Sequence, residues 1–206
     1  LFYFSALGEI DLFYSLITLM VFVVIYDLGE KRKYYALFSL AYLLSAIGFL
    51  TKGLPSLPFL GITLLVYFIA NKNFKKLFSL PHLLGGLVFL AVVGGYFFTY
   101  SLHHDVKGWL TLLSESSDRT GGSGFVDLLR HMVWYPSDTF KNLLPAALFV
   151  PFLFRKDLIS KVKSHPFVLF LTLTFFANFL LYWISTGARS RYIYALFPLM
   201  IVVFVY

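Results

Sequence analysis

Ala46-Ile47-Gly48-Phe49-Leu50-Thr51-Lys52-Gly53-Leu54-Pro55-Ser56-Leu57-Pro58 is the stretch on which the fold turns. Apolar sequence long enough to span a membrane lies on both sides of it, and Lys52 interrupts that sequence at the join. A charge at such a place is costly unless it has a task or a route to water. Gly53, Pro55 and Pro58 break the chain tightly, so the flanking segments are expected to be antiparallel helices. Their turn lets a lysine approach a ligand at membrane depth. A compact ammonium there suits a phosphate; the plainer alternative is a lysine that snorkels to headgroups from a helix end.

Outward from this turn the same pattern recurs. The chain is 59% hydrophobic and only 13% charged, whereas soluble domains carry about a quarter of their residues as charges. A bilayer core of about 30 Å takes roughly 20 apolar helical residues, with about 17 as a practical minimum. Seven runs approach this length, at 10–26, 35–50, 54–70, 80–100, 143–154, 166–184 and 192–206. The fifth is short and needs 136–141 to extend it. The expected fold is an all-α polytopic transmembrane bundle, a single domain over 1–206, with one long extracytoplasmic loop at 101–142. The chain opens on Leu1 and closes inside an apolar run, as expected of a piece of a longer protein. It contains no cysteine, which removes disulfides and thiolate chemistry and agrees with a bacterial inner membrane.

The net charge of +7 is explained by where the charges fall. Segments 27–33, 71–76 and 155–163 hold ten Lys/Arg against Asp27, Glu30 and Asp157, and alternation of the spans puts all three on one face. The positive-inside rule makes that face cytoplasmic. The opposite face holds seven cations and seven carboxylates. The basicity is therefore a topology signal, and no nucleic-acid partner is expected. In the long loop, Gly121-Gly122-Ser123-Gly124 is a flexible centre, and 125–134 is expected to be a short amphipathic helix on the membrane surface.

Candidate chemistry gathers on this second face. Glu9 and Asp11 sit at the mouth of the first span. Two positions apart on a helix, they point about 200° apart, so at most one is central. Asp11 is the better candidate because it opens the apolar helix. It either caps that helix or projects into an outward cavity, where a carboxylate can act as general base or bind a metal. Arg189 and Arg191 open the last span where few cations are expected, and guanidinium forks suit a lipid phosphate or pyrophosphate; pairing with Glu115 or Asp118 is the alternative. A divalent metal is the one cofactor left open. Its candidate ligands are Glu115, His131 and His104, without the tight spacing typical of metal sites. His82 and His165 are read as boundary residues, and most of the 25 Phe and 14 Tyr as lipid-facing or interfacial.

Three motifs in order resemble the membrane-embedded GT-C glycosyltransferases that use polyprenyl-phosphate sugars, the protein O-mannosyltransferase-like and aminoarabinose-transferase-like enzymes. Gly8-Glu9-Ile10-Asp11-Leu12-Phe13-Tyr14 resembles the acidic opening of a helix. Ala46-Ile47-Gly48-Phe49-Leu50-Thr51-Lys52-Gly53-Leu54-Pro55 resembles a Gly-x-x-x-x-Lys-Gly-Pro hairpin, with three residues here between Gly48 and Lys52 and with Leu54 inserted before the proline. Arg191-Tyr192-Ile193-Tyr194-Ala195-Leu196-Phe197-Pro198 resembles an Arg-Tyr-x-x-x-x-x-Pro helix start, and the loop from Glu115 through Arg119 to His131 and Trp134-Tyr135-Pro136 is similar to the family's long outer loop. The resemblance implies that Asp11, with Glu9 beside it, is an acidic residue of the active cavity. It implies that Lys52, Arg119 and Arg191, with Arg189, bind the donor phosphate. It further implies a main catalytic carboxylate in a first outer loop upstream of Leu1. The implied reaction is inverting transfer of a sugar from a polyprenyl-phosphate donor to a lipid, glycan or protein acceptor, at a site facing the periplasm or exterior. The competing expectations are a non-catalytic membrane subunit of the same fold and a transporter or flippase of an anionic lipid. The last predicts mid-membrane charges or broken, repeated helices, whereas the charges here fall at helix ends.

Overall fold

The computed structural model describes residues 10–104, 108, 111, 124–142, 156–186 and 194–205. Their regular structure is helical: α1 (Ile10–Glu30), α2 (Tyr34–Lys52), α3 (Ser56–Ala70), a 3-10 turn (Phe74–Phe78), α4 (Leu80–Ser101), α5 (Phe125–Asn142), α6 (Lys156–Ser164), α7 (Pro166–Ile184) and α8 (Phe197–Val205). Among the described residues, four helices, α1, α2, α4 and α7, are long and apolar enough to cross a membrane. The expected count of seven is thus only partly matched. At 15 residues α3 falls short of spanning length, because the Gly53 and Pro55 break delays its start. Residues 143–154 lie outside the described residues. Within the run 192–206, residues 194–205 are described, and of these Phe197–Val205 are α-helical.

The first helix runs one turn beyond its apolar stretch. Asp27 and Lys31, four residues apart and so on one face, meet at 2.7 Å. The end is then closed by Arg32 N–H donating to Gly29 O and Lys33 N–H to Leu28 O, each at 2.9 Å. This is the double bond pattern of a left-handed helix cap. The second helix stops at Gly53, whose φ of 79° lies in the left-handed region that glycine adopts without strain.

The core forms where α1, α2, α3 and α7 meet, around Phe22, Ile25, Leu37, Phe38, Phe68 and Leu171. Helix α7 runs antiparallel to α3, since Phe170 meets Tyr67 at 5.8 Å and Tyr182 meets Phe59 at 5.6 Å between ring centroids. Tyr26 packs on Phe167 at 4.8 Å. The ends of α1 and α3 and the start of α7, with the basic segments beside them, therefore gather at one end of the bundle, and Lys52 lies at the other.

Gly29 sets the approach of α1 to α3. A Cβ there would come within 2.3 Å of Cζ of the buried Tyr67 ring. Gly29→Ala is expected to cost about 1–3 kcal/mol through overpacking, read as a lower unfolding midpoint in detergent, and to break the 3.1 Å hydrogen bond from Tyr67 Oη to Glu30.

The short surface helix expected at 125–134 continues through Pro136 to Asn142. A proline inside a helix leaves the carbonyl four residues earlier without its N–H donor. That carbonyl belongs to Met132, and the Trp183 indole donates to it at 2.8 Å. With His131 at 3.2 Å from Tyr182 O and Tyr135 at 5.9 Å from Phe179, α5 runs antiparallel along the C-terminal half of α7. The helix is a packed element, and it includes the 136–141 extension that the fifth span needed.

Candidate functional site

The site is built by the first hairpin. Helices α1 and α2 have 21 and 19 residues and are joined by a short turn, so the start of one lies level with the end of the other. Asp11, in the first turn of α1, and Lys52, in the last turn of α2, are thereby brought together. Lys52 Nζ donates to Asp11 Oδ1, with side-chain exposures of 13% and 9%. The ammonium also stands 5.1 Å from the Tyr14 ring centroid, one turn further into α1. A charge pair this shielded from water interacts far more strongly than a surface pair, and each charge depends on the other.

A small cavity opens next to Tyr14, bordered by Thr18, Ser45, Gly48, Ser56 and Phe59. Its rim carries the hydroxyls of Tyr14, Thr18, Ser45 and Ser56, two of them tied to backbone: Thr18 donates to Tyr14 O at 2.9 Å and Ser45 to Ser56 O at 3.2 Å. Tyr14 Oη and Ser56 Oγ are buried there and, among the described residues, meet no hydrogen-bond partner. Gly48 keeps the space open, because a Cβ on it would lie 2.9 Å from Ser56 Oγ and 3.4 Å from the Tyr14 ring edge.

The structure joins Asp11 and Lys52, which the sequence had placed in separate roles, and puts Asp11 inside the helix with its carboxylate on a cation. Glu9, Glu115, Arg119, Arg189 and Arg191 lie outside the described residues. His131 is buried, with Nε2 at the Tyr182 carbonyl and its ring 4.9 Å from Tyr135, so it serves helix packing. His104 is exposed beyond the end of α4 against Tyr100. Among the described residues no group of three or more histidines and carboxylates is placed to hold a metal ion.

Sequence reasoning missed the Asp11–Lys52 contact, although the equal arms of the hairpin carry the signal for it. It also missed the hydroxyl rim, for which single serines and tyrosines in apolar sequence give no cue. A second buried polar pair went unnoticed, on the stripe of α7 that faces α3. There Asn178 Nδ2 donates to Thr174 O at 2.9 Å. His82, read as a boundary residue, is part-buried and takes Tyr42 Oη at Nε2 (2.5 Å) while Nδ1 meets Leu77 O.

Fold and site together define a helical protein with, among the described residues, four helices long and apolar enough to cross a membrane and a shielded acid–base pair at one end of its first hairpin. Set against protein-family models, curated proteins and solved structures, the chain matches none of them.

Proposed function

We propose that this chain belongs to a membrane glycosyltransferase of the GT-C type, moving a sugar from a polyprenyl-phosphate donor to a lipid, glycan or protein acceptor. The observation that carries the proposal is the Asp11–Lys52 pair, held at the end of the bundle away from the basic segments. By the positive-inside rule that end faces the periplasm or exterior of a bacterial inner membrane. In the transfer, an acceptor hydroxyl or amine forms a bond to the anomeric carbon while the bond from that carbon to the phosphate oxygen breaks. The electron pair leaves with the phosphate, and the acceptor's proton passes to a carboxylate. A lysine ammonium has three N–H donors, so Lys52 can hold Asp11 and a phosphate oxygen together and stabilise the charge growing on the leaving group. Asp11 takes or orients the acceptor's proton, with Glu9 as its neighbour. Arg119, Arg189 and Arg191 are proposed as further phosphate ligands by the resemblance alone.

The test uses the full-length protein in membranes, with radiolabelled polyprenyl-phosphate sugars as donors. Asp11→Asn combined with Lys52→Met keeps the volume of the pair while removing both charges. It is expected to lower transfer by about 100-fold or more, the scale of losing an electrostatic contact to the transition state. Retained transfer in this variant removes the pair from the chemistry. A second reading is favoured by the same geometry. Two charges that satisfy each other can be a structural clasp, and the chain would then be a non-catalytic subunit of the same fold. That reading is adopted if the wild-type protein transfers none of a broad donor panel.

A further inference from the structure

The opposite end of the bundle carries a second built feature. The turns that close α1 and α3 lie side by side, because Tyr67 packs on Gly29 and its hydroxyl donates to Glu30. Both turns are closed in the same way. Lys33 N–H reaches Leu28 O at 2.9 Å and Asn73 N–H reaches Phe68 O at 2.8 Å, with the residue before each in the left-handed region. Those two residues are Arg32, at φ 55°, and Lys72, at φ 54°. Glycine closes such turns without strain, yet here both positions hold an exposed cation.

The carboxylates nearby are already engaged, Asp27 by Lys31 and Glu30 by Tyr67. Lys76 lies over the Tyr34 ring at 4.7 Å. Among the described residues, no ion-pair partner meets the exposed Arg32, Lys33, Lys72 or Lys75. The 3-10 turn beside them projects Phe74 and Phe78, 45% and 79% exposed, with ring centroids 5.6 Å apart. Exposed aromatics next to a row of cations fit a membrane boundary, where the rings enter the acyl region and the cations meet headgroups.

We propose that Arg32, Lys33, Lys72 and Lys75, with Phe74 and Phe78, bind an anionic phospholipid. The headgroup phosphate rests on the cations and an acyl chain lies against the two phenylalanines. This surface is independent of the Asp11–Lys52 site. It differs from general charge bias in one testable respect: Arg32→Gly with Lys72→Gly relieves both strained turns while removing two cations.

The experiment reconstitutes the full-length protein in nanodiscs of mixed phosphatidylglycerol and phosphatidylcholine and measures the retained lipids by native mass spectrometry, beside thermal unfolding. The wild type is expected to retain phosphatidylglycerol preferentially. The double glycine variant is expected to unfold at or above the wild-type midpoint and to lose that preference on the order of tenfold, following the contribution of each cation near a charged leaflet. Phe74→Ser with Phe78→Ser is expected to lower total retained lipid while keeping the headgroup preference. Should the glycine variant fold poorly, Lys33→Gln with Lys75→Gln, at positions without backbone strain, tests the same charge. Unchanged preference in a well-folded charge variant overturns the proposal, as does equal retention of both lipids by the wild type. Displacement of the lipid by inorganic phosphate reassigns the surface to a soluble anion.

Discussion

Lys52→Ala is expected to destabilise the folded chain by about 3–5 kcal/mol, the cost of removing one partner from a buried ion pair. The Asp11 carboxylate is 9% exposed and its Oδ1 is held by the lysine, so the variant leaves a nearly desolvated negative charge at the top of α1. Loss of the lysine stem beside Tyr14 adds to the effect. Asp11→Asn alone strands the ammonium in the same way. The double variant with asparagine at 11 and methionine at 52 strands neither charge, and buried pairs replaced by neutral groups of similar volume are often near neutral in stability. Unfolding midpoints of the wild type, Asp11→Asn, Lys52→Met and the double variant in one detergent form a double-mutant cycle. A strong coupling energy is expected, with the double variant more stable than Lys52→Met. Additive losses would show that the two side chains do not depend on each other.

Gly85→Ala is expected to be the most damaging glycine substitution in the peripheral helix. Of the residues of α4, Gly85 is the buried one. A Cβ there would meet Tyr42 Cδ2 at 2.6 Å, Phe38 Cβ at 2.9 Å and the Phe38 backbone carbon at 3.0 Å. Phe38 is fully buried and stacked on Phe68 at 5.6 Å, so it cannot yield. Helix α4 must move instead, which also pulls His82 away from Tyr42. The expected cost is about 3 kcal/mol, the upper part of the overpacking range. Gly86→Ala is the control, because a Cβ there meets nothing within 4 Å. It should be neutral or slightly stabilising through helix propensity. The chain has no native cysteine, so a cysteine pair introduced across α2 and α4 reports the separation directly. Equal crosslinking in the two glycine variants would mean that Gly85 does not set the approach.

The Lys52 hairpin was legible before any coordinates. Gly53 and the two prolines announce a break, and Gly53 does take the left-handed conformation that ends α2. Asp11 and Lys52 were each singled out, yet as partners of separate ligands, since a linear reading assigns roles residue by residue. The 143–154 segment and the arginine cluster at 189 and 191 lie outside the described residues. The helix at 125 was anticipated but ended too early at Trp134. Pro136 reads locally as a terminator, whereas the Trp183 indole donor, 51 residues away, supplies the hydrogen bond that the Met132 carbonyl loses.

By itself the sequence determined that the chain is helical and apolar, where its main breaks fall, and that its basic segments share one end. Those properties follow from side-chain hydrophobicity and backbone chemistry, which act locally and repeat along the chain. Only the tertiary structure decided that Asp11 and Lys52 form one shielded pair, that His131 braces α5 on α7, and that Arg32 and Lys72 close neighbouring turns. Each of these depends on the rotation and depth at which two helices meet. Close packing sets both through positions such as Gly29 and Gly85, where a single Cβ decides whether the backbones can approach.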